Sequence, residues 1–131
     1  MARHFAVSID AVWDVISDVL SAAAWREDLQ AVEPVDLDHW REVSKRGRSV
    51  LYRRVEAHAP SRLIVKIADP DLPYAGTWTR EISEDGPNAA WLTITENGAV
   101  KNPVFRILSR YVFSQSKSIE TYLDSLQKRL G

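Results

Sequence analysis

The chain contains no cysteine, which excludes a disulfide framework, thiol catalysis and cysteine–zinc sites. It has no GxSxG, no HExxH and no glycine-rich phosphate loop, so the usual signatures of serine hydrolases, zinc peptidases and nucleotide-binding enzymes are missing. His4, His39 and His58 stand at two strand starts and a turn, without metal-ligand spacing. No metal or other cofactor is therefore expected. No apolar run approaches the ~20 residues of a transmembrane helix, so stable membrane insertion is not expected. The opening MARHFAVSIDAVWDVI is interrupted by Asp10 and Asp14 and shows no cleavage site, so it does not read as a signal peptide. The expected location is the cytoplasm. Repeats, low-complexity tracts and linkers are also missing, and residues 1–131 are expected to form a single domain.

What is present suits a folded globular chain: 45% hydrophobic and 27% charged residues over 131 positions. The net charge of −1 hides a segmental alternation. Met1 to Glu42 carries three arginines against nine acids, and Lys45 to Lys66 carries seven basic residues against Glu56 alone. The basic KRGRSVLYRR around Tyr52 has the composition of a phosphate-contacting segment. With almost no net charge there is no long-range pull toward nucleic acid, so it reads as a solvated hairpin and no nucleic-acid partner is expected.

ARHFAV reads as a short first strand. Ser8 then caps a helix in which Val12, Trp13, Ile16 and Val19 recur at helical spacing and Asp10 sits in the first turn. SAAAWRED, from Ser21, reads as a second short helix turning through Trp25. From Ala31 the period changes. AVEPVD, HWREVS, SVLYRRVEA, RLIVKIAD, GTWTREIS and AAWLTITEN are short runs rich in β-branched and aromatic residues. The segments between them hold Gly, Pro, Asn or Asp, as tight reversals require. Consecutive strands are therefore expected to pair as an antiparallel meander.

The last element begins at NPVFRILSRYVF. Asn102 is a favoured cap and Pro103 a favoured first helical residue, since proline lacks an amide hydrogen that would be unsatisfied there anyway. From Pro103 to Leu130 the helix would run roughly 40 Å at ~1.5 Å per residue. Its first half is apolar on nearly every side, relieved by Arg106 and Arg110. A sheet that is apolar on one face must cover that face, and one long helix is the element left to do so. A sheet curled around the helix would account for the wide apolar face of its first half.

This layout, with AVWDVISDVLSAAAWREDLQAVE, LPYAGTWTREIS, LTITENGAVKNPVFRILSRYVF and the closing YLDSLQ, resembles the START-like helix-grip superfamily, also called SRPBCC, over essentially the whole chain. Within it the chain is similar to bacterial single-domain proteins labelled polyketide cyclase/dehydrase-like. The resemblance implies an α+β helix-grip fold: a curved antiparallel sheet of about six to seven strands around a long C-terminal helix, with two short helices after the first strand. It also implies a deep cavity between sheet and helix. It does not fix an activity, because the superfamily includes lipid carriers, hormone receptors, aromatase/cyclases and chaperone co-factors.

Strand alternation indicates which residues would line that cavity. A hairpin centred on Gly86 sets Arg80 opposite Leu92, Trp78 opposite Ile94 and Gly76 opposite Glu96. Trp78, Arg80, Ile82, Leu92, Ile94 and Glu96 then share the apolar face, where charges are expensive. Arg80 and Glu96 read either as polar handles of an apolar pocket or as an ion pair; a register error would turn both outward. On neighbouring strands the inward sets are Leu63, Val65 and Ile67, and Leu51, Arg53 and Val55. Phe105, Leu108, Tyr111 and Val112 would supply the helix wall. Each of these residues is also a natural core residue. The ligand-lining set is thus Leu51, Val65, Ile67, Trp78, Arg80, Leu92, Ile94, Glu96, Phe105, Leu108, Tyr111 and Val112, and no residue is assigned a catalytic role.

The expected function is binding or transport of a small hydrophobic molecule, such as a lipid, a polyketide or another aromatic or isoprenoid compound. One alternative is a polyketide cyclase or aromatase in the same cavity, with Tyr111, Arg80 or Glu96 as acid or base. Another is a chaperone co-factor-like domain that binds protein through the outer sheet face. Oligomeric state is not legible.

Overall fold

The computed structural model describes residues 1–72, 74–100 and 115–131. Strand β1 (Ala2–Phe5) leads into helix α1 (Ile9–Ser17) and a 3-10 helix (Val19–Ala24). Six strands follow: β2 (Leu29–Pro34), β3 (His39–Ser44), β4 (Ser49–His58), β5 (Arg62–Ile67), β6 (Tyr74–Glu84) and β7 (Ala90–Val100). Helix α2 (Gln115–Leu130) closes the chain. The first half of the long helix expected from Pro103, with its Asn102 cap, lies outside the described residues.

Local chemistry explains the boundaries. The Ser8 hydroxyl accepts from the Ala11 amide at 3.2 Å, satisfying one of the free N–H groups of α1. The second short helix is a 3-10 turn that starts at Val19 rather than Ser21. In the β6–β7 hairpin the Asp85 amide donates to the Ala89 carbonyl at 2.9 Å, and Gly86 takes φ +85°, a conformation that L side chains rarely adopt.

The seven strands form one antiparallel sheet in the order β1-β7-β6-β5-β4-β3-β2. Every consecutive pair from β2 to β7 is a hairpin, and β1 returns to the edge beside β7. Two apolar clusters fill the inner side. The larger joins β1, α1, β6, β7 and α2 through eleven buried residues, including Phe5, Val12, Leu92, Leu123 and Leu126. The smaller gathers Val19, Trp40, Leu63 and Val65. Trp13 packs against both. Among the described residues no helix is long and apolar enough to cross a membrane.

Candidate functional site

The inner face of β6 and β7 carries the polar groups of interest. The observed register pairs Trp78 with Glu96, Arg80 with Ile94, Ile82 with Leu92 and Gly76 with Gly98. This corrects the hairpin expected from the sequence: the turn is centred on Pro87, and every partner moves by two residues. A two-residue slip preserves the face of each side chain, because alternation along a strand has period two. Trp78, Arg80, Ile82, Leu92, Ile94 and Glu96 accordingly share the inner side, and Trp91 stands on the outer face, 44% exposed.

Arg80 is buried, 7% exposed, and its Nε and Nη1 are buried without hydrogen-bond partners. Its guanidinium carbon lies 4.9 Å from the Tyr122 ring centre and 5.4 Å from that of Trp78. Contacts with ring faces offset part of a cation's desolvation, on the order of 1 to 2 kcal/mol each. They do not satisfy N–H donors in the guanidinium plane. Glu96, half-buried on β7, also has an unpartnered buried oxygen, Oε2. Burial raises its carboxyl above the ordinary value, opposed by a hydrogen bond from the Trp78 indole. Among the described residues Arg80 and Glu96 form no ion pair; they sit on one face, one step apart along the ladder.

A second arginine reaches the same tyrosine ring. Arg26, just after the 3-10 helix, lies 5.2 Å from the Tyr122 ring centre. Its Nη1 donates to Glu42 at 2.8 Å, and its Nη2 to Asp28 at 2.8 Å. Burial weighs against this charge, but Glu42 and then Asp28 overcome it and raise the guanidinium above its ordinary value. Glu42 also accepts from the Trp40 indole at 3.1 Å. Trp25 and Trp78 meet Tyr122 edge-on, with ring centres 5.1 and 6.0 Å away. Tyr122, on α2, is thus the hub of a belt of rings and guanidinium groups.

Sequence reasoning missed Arg26, Glu42 and the role of Tyr122. The available signal was the mixture of tryptophan and charges in WRED and in the strand HWREVS.

The remaining expected residues separate. Val65 is buried in the smaller cluster, and Ile67 is half-buried opposite Tyr52 on the inner side. Leu92 and Ile94 are fully enclosed in the larger cluster. Leu51 is a correction: it pairs with Arg41 on the outer face, while Tyr52 and Arg54 face inward with Ile67 and Val65. Tyr52 stacks with Trp40 at 6.4 Å between ring centres, and Arg54 lies 5.6 Å from the Trp40 ring centre. An arginine whose stem and guanidinium cover an indole belongs on the apolar side despite its charge. A β-bulge between Arg54 and Glu56 then leaves Val55 half exposed. Phe105, Leu108, Tyr111 and Val112 lie outside the described residues. A depression of about 610 Å³ between Glu56, His58, Arg62, Glu81, Ser83 and Thr93 opens among exposed polar side chains. It does not border the belt around Tyr122.

No known family model matches the chain, and neither does any curated protein sequence. Solved structures do. A START superfamily protein from Mycobacterium smegmatis superposes with a TM-score of 0.80 at 14% identity, over 99% of this chain and 94% of the other. The fold is START-like. Norcoclaurine synthase from Thalictrum, a point mutant in complex with a transition-state analogue, gives 0.79 at 12% identity over 99% and 91% of the two chains. The di-domain ARO/CYC protein BexL of the BE-7585A biosynthetic pathway gives 0.71 at 14% identity, over 99% of this chain and 49% of the other. In this START-like frame the inner sheet face and the C-terminal helix bring Arg80, Trp78, Glu96 and Tyr122 together, an arrangement able to orient a polar atom at the end of an apolar body.

Proposed function

We propose that the chain binds a small hydrophobic molecule between the inner face of the sheet and the C-terminal helix, as a cytoplasmic carrier or sensor. The observation that supports this is Arg80: a buried guanidinium with two unpartnered nitrogens on an apolar wall. Leaving buried donors unsatisfied costs roughly 1 to 3 kcal/mol, and a ligand oxygen there would recover it. Most of the wall is aromatic and aliphatic, with few polar groups, the usual composition of a small-molecule site. Titration with an apolar fluorescent dye is expected to show saturable uptake near one dye per chain and a change in tryptophan emission. A fully packed interior that takes up no dye would end this reading.

A polyketide cyclase or aromatase in the same cavity is the second reading. It is favoured by Glu96, whose burial-raised carboxyl is poised to hold and release a proton beside the ligand, and by the likeness to norcoclaurine synthase and BexL. Turnover of a linear poly-β-ketone would establish it, and unchanged recovery of the bound compound would leave the carrier.

A further inference from the structure

The two buried arginines of the inner wall are not treated alike, and the difference has chemical content. Arg26 is neutralised by Glu42 and Asp28, each at 2.8 Å. Arg80 has no such partner among the described residues, and its Nε and Nη1 are both free. Its guanidinium carbon lies over the rings of Trp78 and Tyr122, and neither ring supplies a lone-pair acceptor to Nε or Nη1, so what is missing is an acceptor. We infer that the interior ligand is an aromatic or polycyclic monocarboxylate, whose carboxylate sits on Arg80 and whose apolar body packs beside Trp78. This rests on the cavity reading above and narrows it to one ligand class.

Elimination supports the choice. A cationic ligand would meet the uncompensated guanidinium at close range, where repulsion in a low-dielectric interior is severe. A neutral ketone or alcohol would occupy one donor and leave the charge uncompensated. A simple phenol is protonated near neutral pH, since its pKa is about 10. A carboxylate is ionised there, so one ligand group both accepts from a free N–H and supplies the opposite charge. Glu96 does not fill this role, for its Oε2 is also buried and unpartnered. It calls for a donor, such as a hydroxyl carried on the ligand body.

The test uses matched pairs on the intact protein: benzoate, 2-naphthoate and 9-anthracenecarboxylate, each beside its methyl ester, titrated by calorimetry near neutral pH. At least one acid is expected to bind roughly tenfold or more tighter than its ester, the scale of one charge-assisted hydrogen bond. In Arg80→Met the preference should fall to about one while ester binding persists, and Arg80→Lys should keep part of it. Equal binding of acid and ester in the wild type overturns the carboxylate inference and leaves the cavity reading standing. An acid preference that survives Arg80→Met removes Arg80 from the site. No binding by any of the six compounds overturns both readings, and because that comparison is made on the wild type it does not depend on a variant folding.

Discussion

Two arginines face one tyrosine ring, and the same substitution should act on them in opposite ways. Arg26→Met would leave Glu42, whose side chain is 11% exposed, as a carboxylate held by the Trp40 indole alone. Breaking a buried pair from one side costs roughly 3 to 5 kcal/mol. Arg80→Met instead removes a buried cation whose Nε and Nη1 have no partners, while keeping most of the aliphatic volume. The lost ring contacts, on the order of 1 to 2 kcal/mol each, are offset by the desolvation no longer required. Guanidinium denaturation of the ligand-free variants is therefore expected to show a large loss for Arg26→Met and little or no loss for Arg80→Met. Equal losses would mean that Arg80 holds a structural partner. Glu96 gives a pH signature. Burial raises its carboxyl in the folded chain, so the folded state binds more protons than the unfolded one between the two pKa values. Stability then falls as pH rises through that window, and the loss is complete above it. Glu96→Gln should be more stable than wild type at about pH 7, with the gap closing toward about pH 4, the range of an unfolded glutamate. Denaturation curves across that range check it, and a gap independent of pH would rule out the titration.

At the level of elements, most of the fold was legible because each element carried its own signal. Ser8 with Asp10 marked α1, and the runs from Ala31 to Asn97 alternated with turn residues, so all six later strands fell where expected. Misreadings arose where local signals compete. The β6–β7 register slipped by two because Gly86 suggested the centre of the turn, whereas the Asp85–Ala89 hydrogen bond puts it at Pro87. The faces survived, and with them the inward placement of Arg80 and Glu96. On β4 the letters misled in a different way. Arg54 looks like a solvent residue, yet it covers Trp40, and the bulge after it changes parity along the strand. Keeping Arg54 and Glu56 in water is what points Leu51 inward in the sequence. The site itself was only half legible. Arg80, Trp78 and Glu96 follow from alternation on neighbouring strands, but Arg26 meets Tyr122 across most of the chain's length. No periodicity within either segment encodes a contact of that span.

Across the whole molecule, the belt of rings and guanidinium groups lies where the two apolar clusters meet. Tyr122 belongs to the larger cluster, and Trp40 to the smaller; Glu42 accepts hydrogen bonds from Trp40 and Arg26, and Arg26 completes the link by lying over the Tyr122 ring. The other bridge is Trp13 of α1, which packs against both. Eleven buried residues stabilise the larger cluster without help, whereas the smaller has four, so the smaller should depend more on the bridge. In the wild type, hydrogen exchange is expected to give similar opening free energies for the slowest amides of β4, β5 and β7, as in one cooperative unit. Trp13→Ala removes a large ring and leaves a cavity at the seam, at a cost of about 2 kcal/mol or more for a partly buried tryptophan. The expected result is selective. Amides of β3 to β5 should exchange at least about tenfold faster, following from that cost at 1.4 kcal/mol per decade, while those of β7 and α2 change less. Equal acceleration everywhere would show that the clusters are joined mainly through the sheet ladder. In that case the belt around Tyr122 would not lie on a mechanical seam, and ligand binding there would stiffen the whole sheet rather than join its two halves.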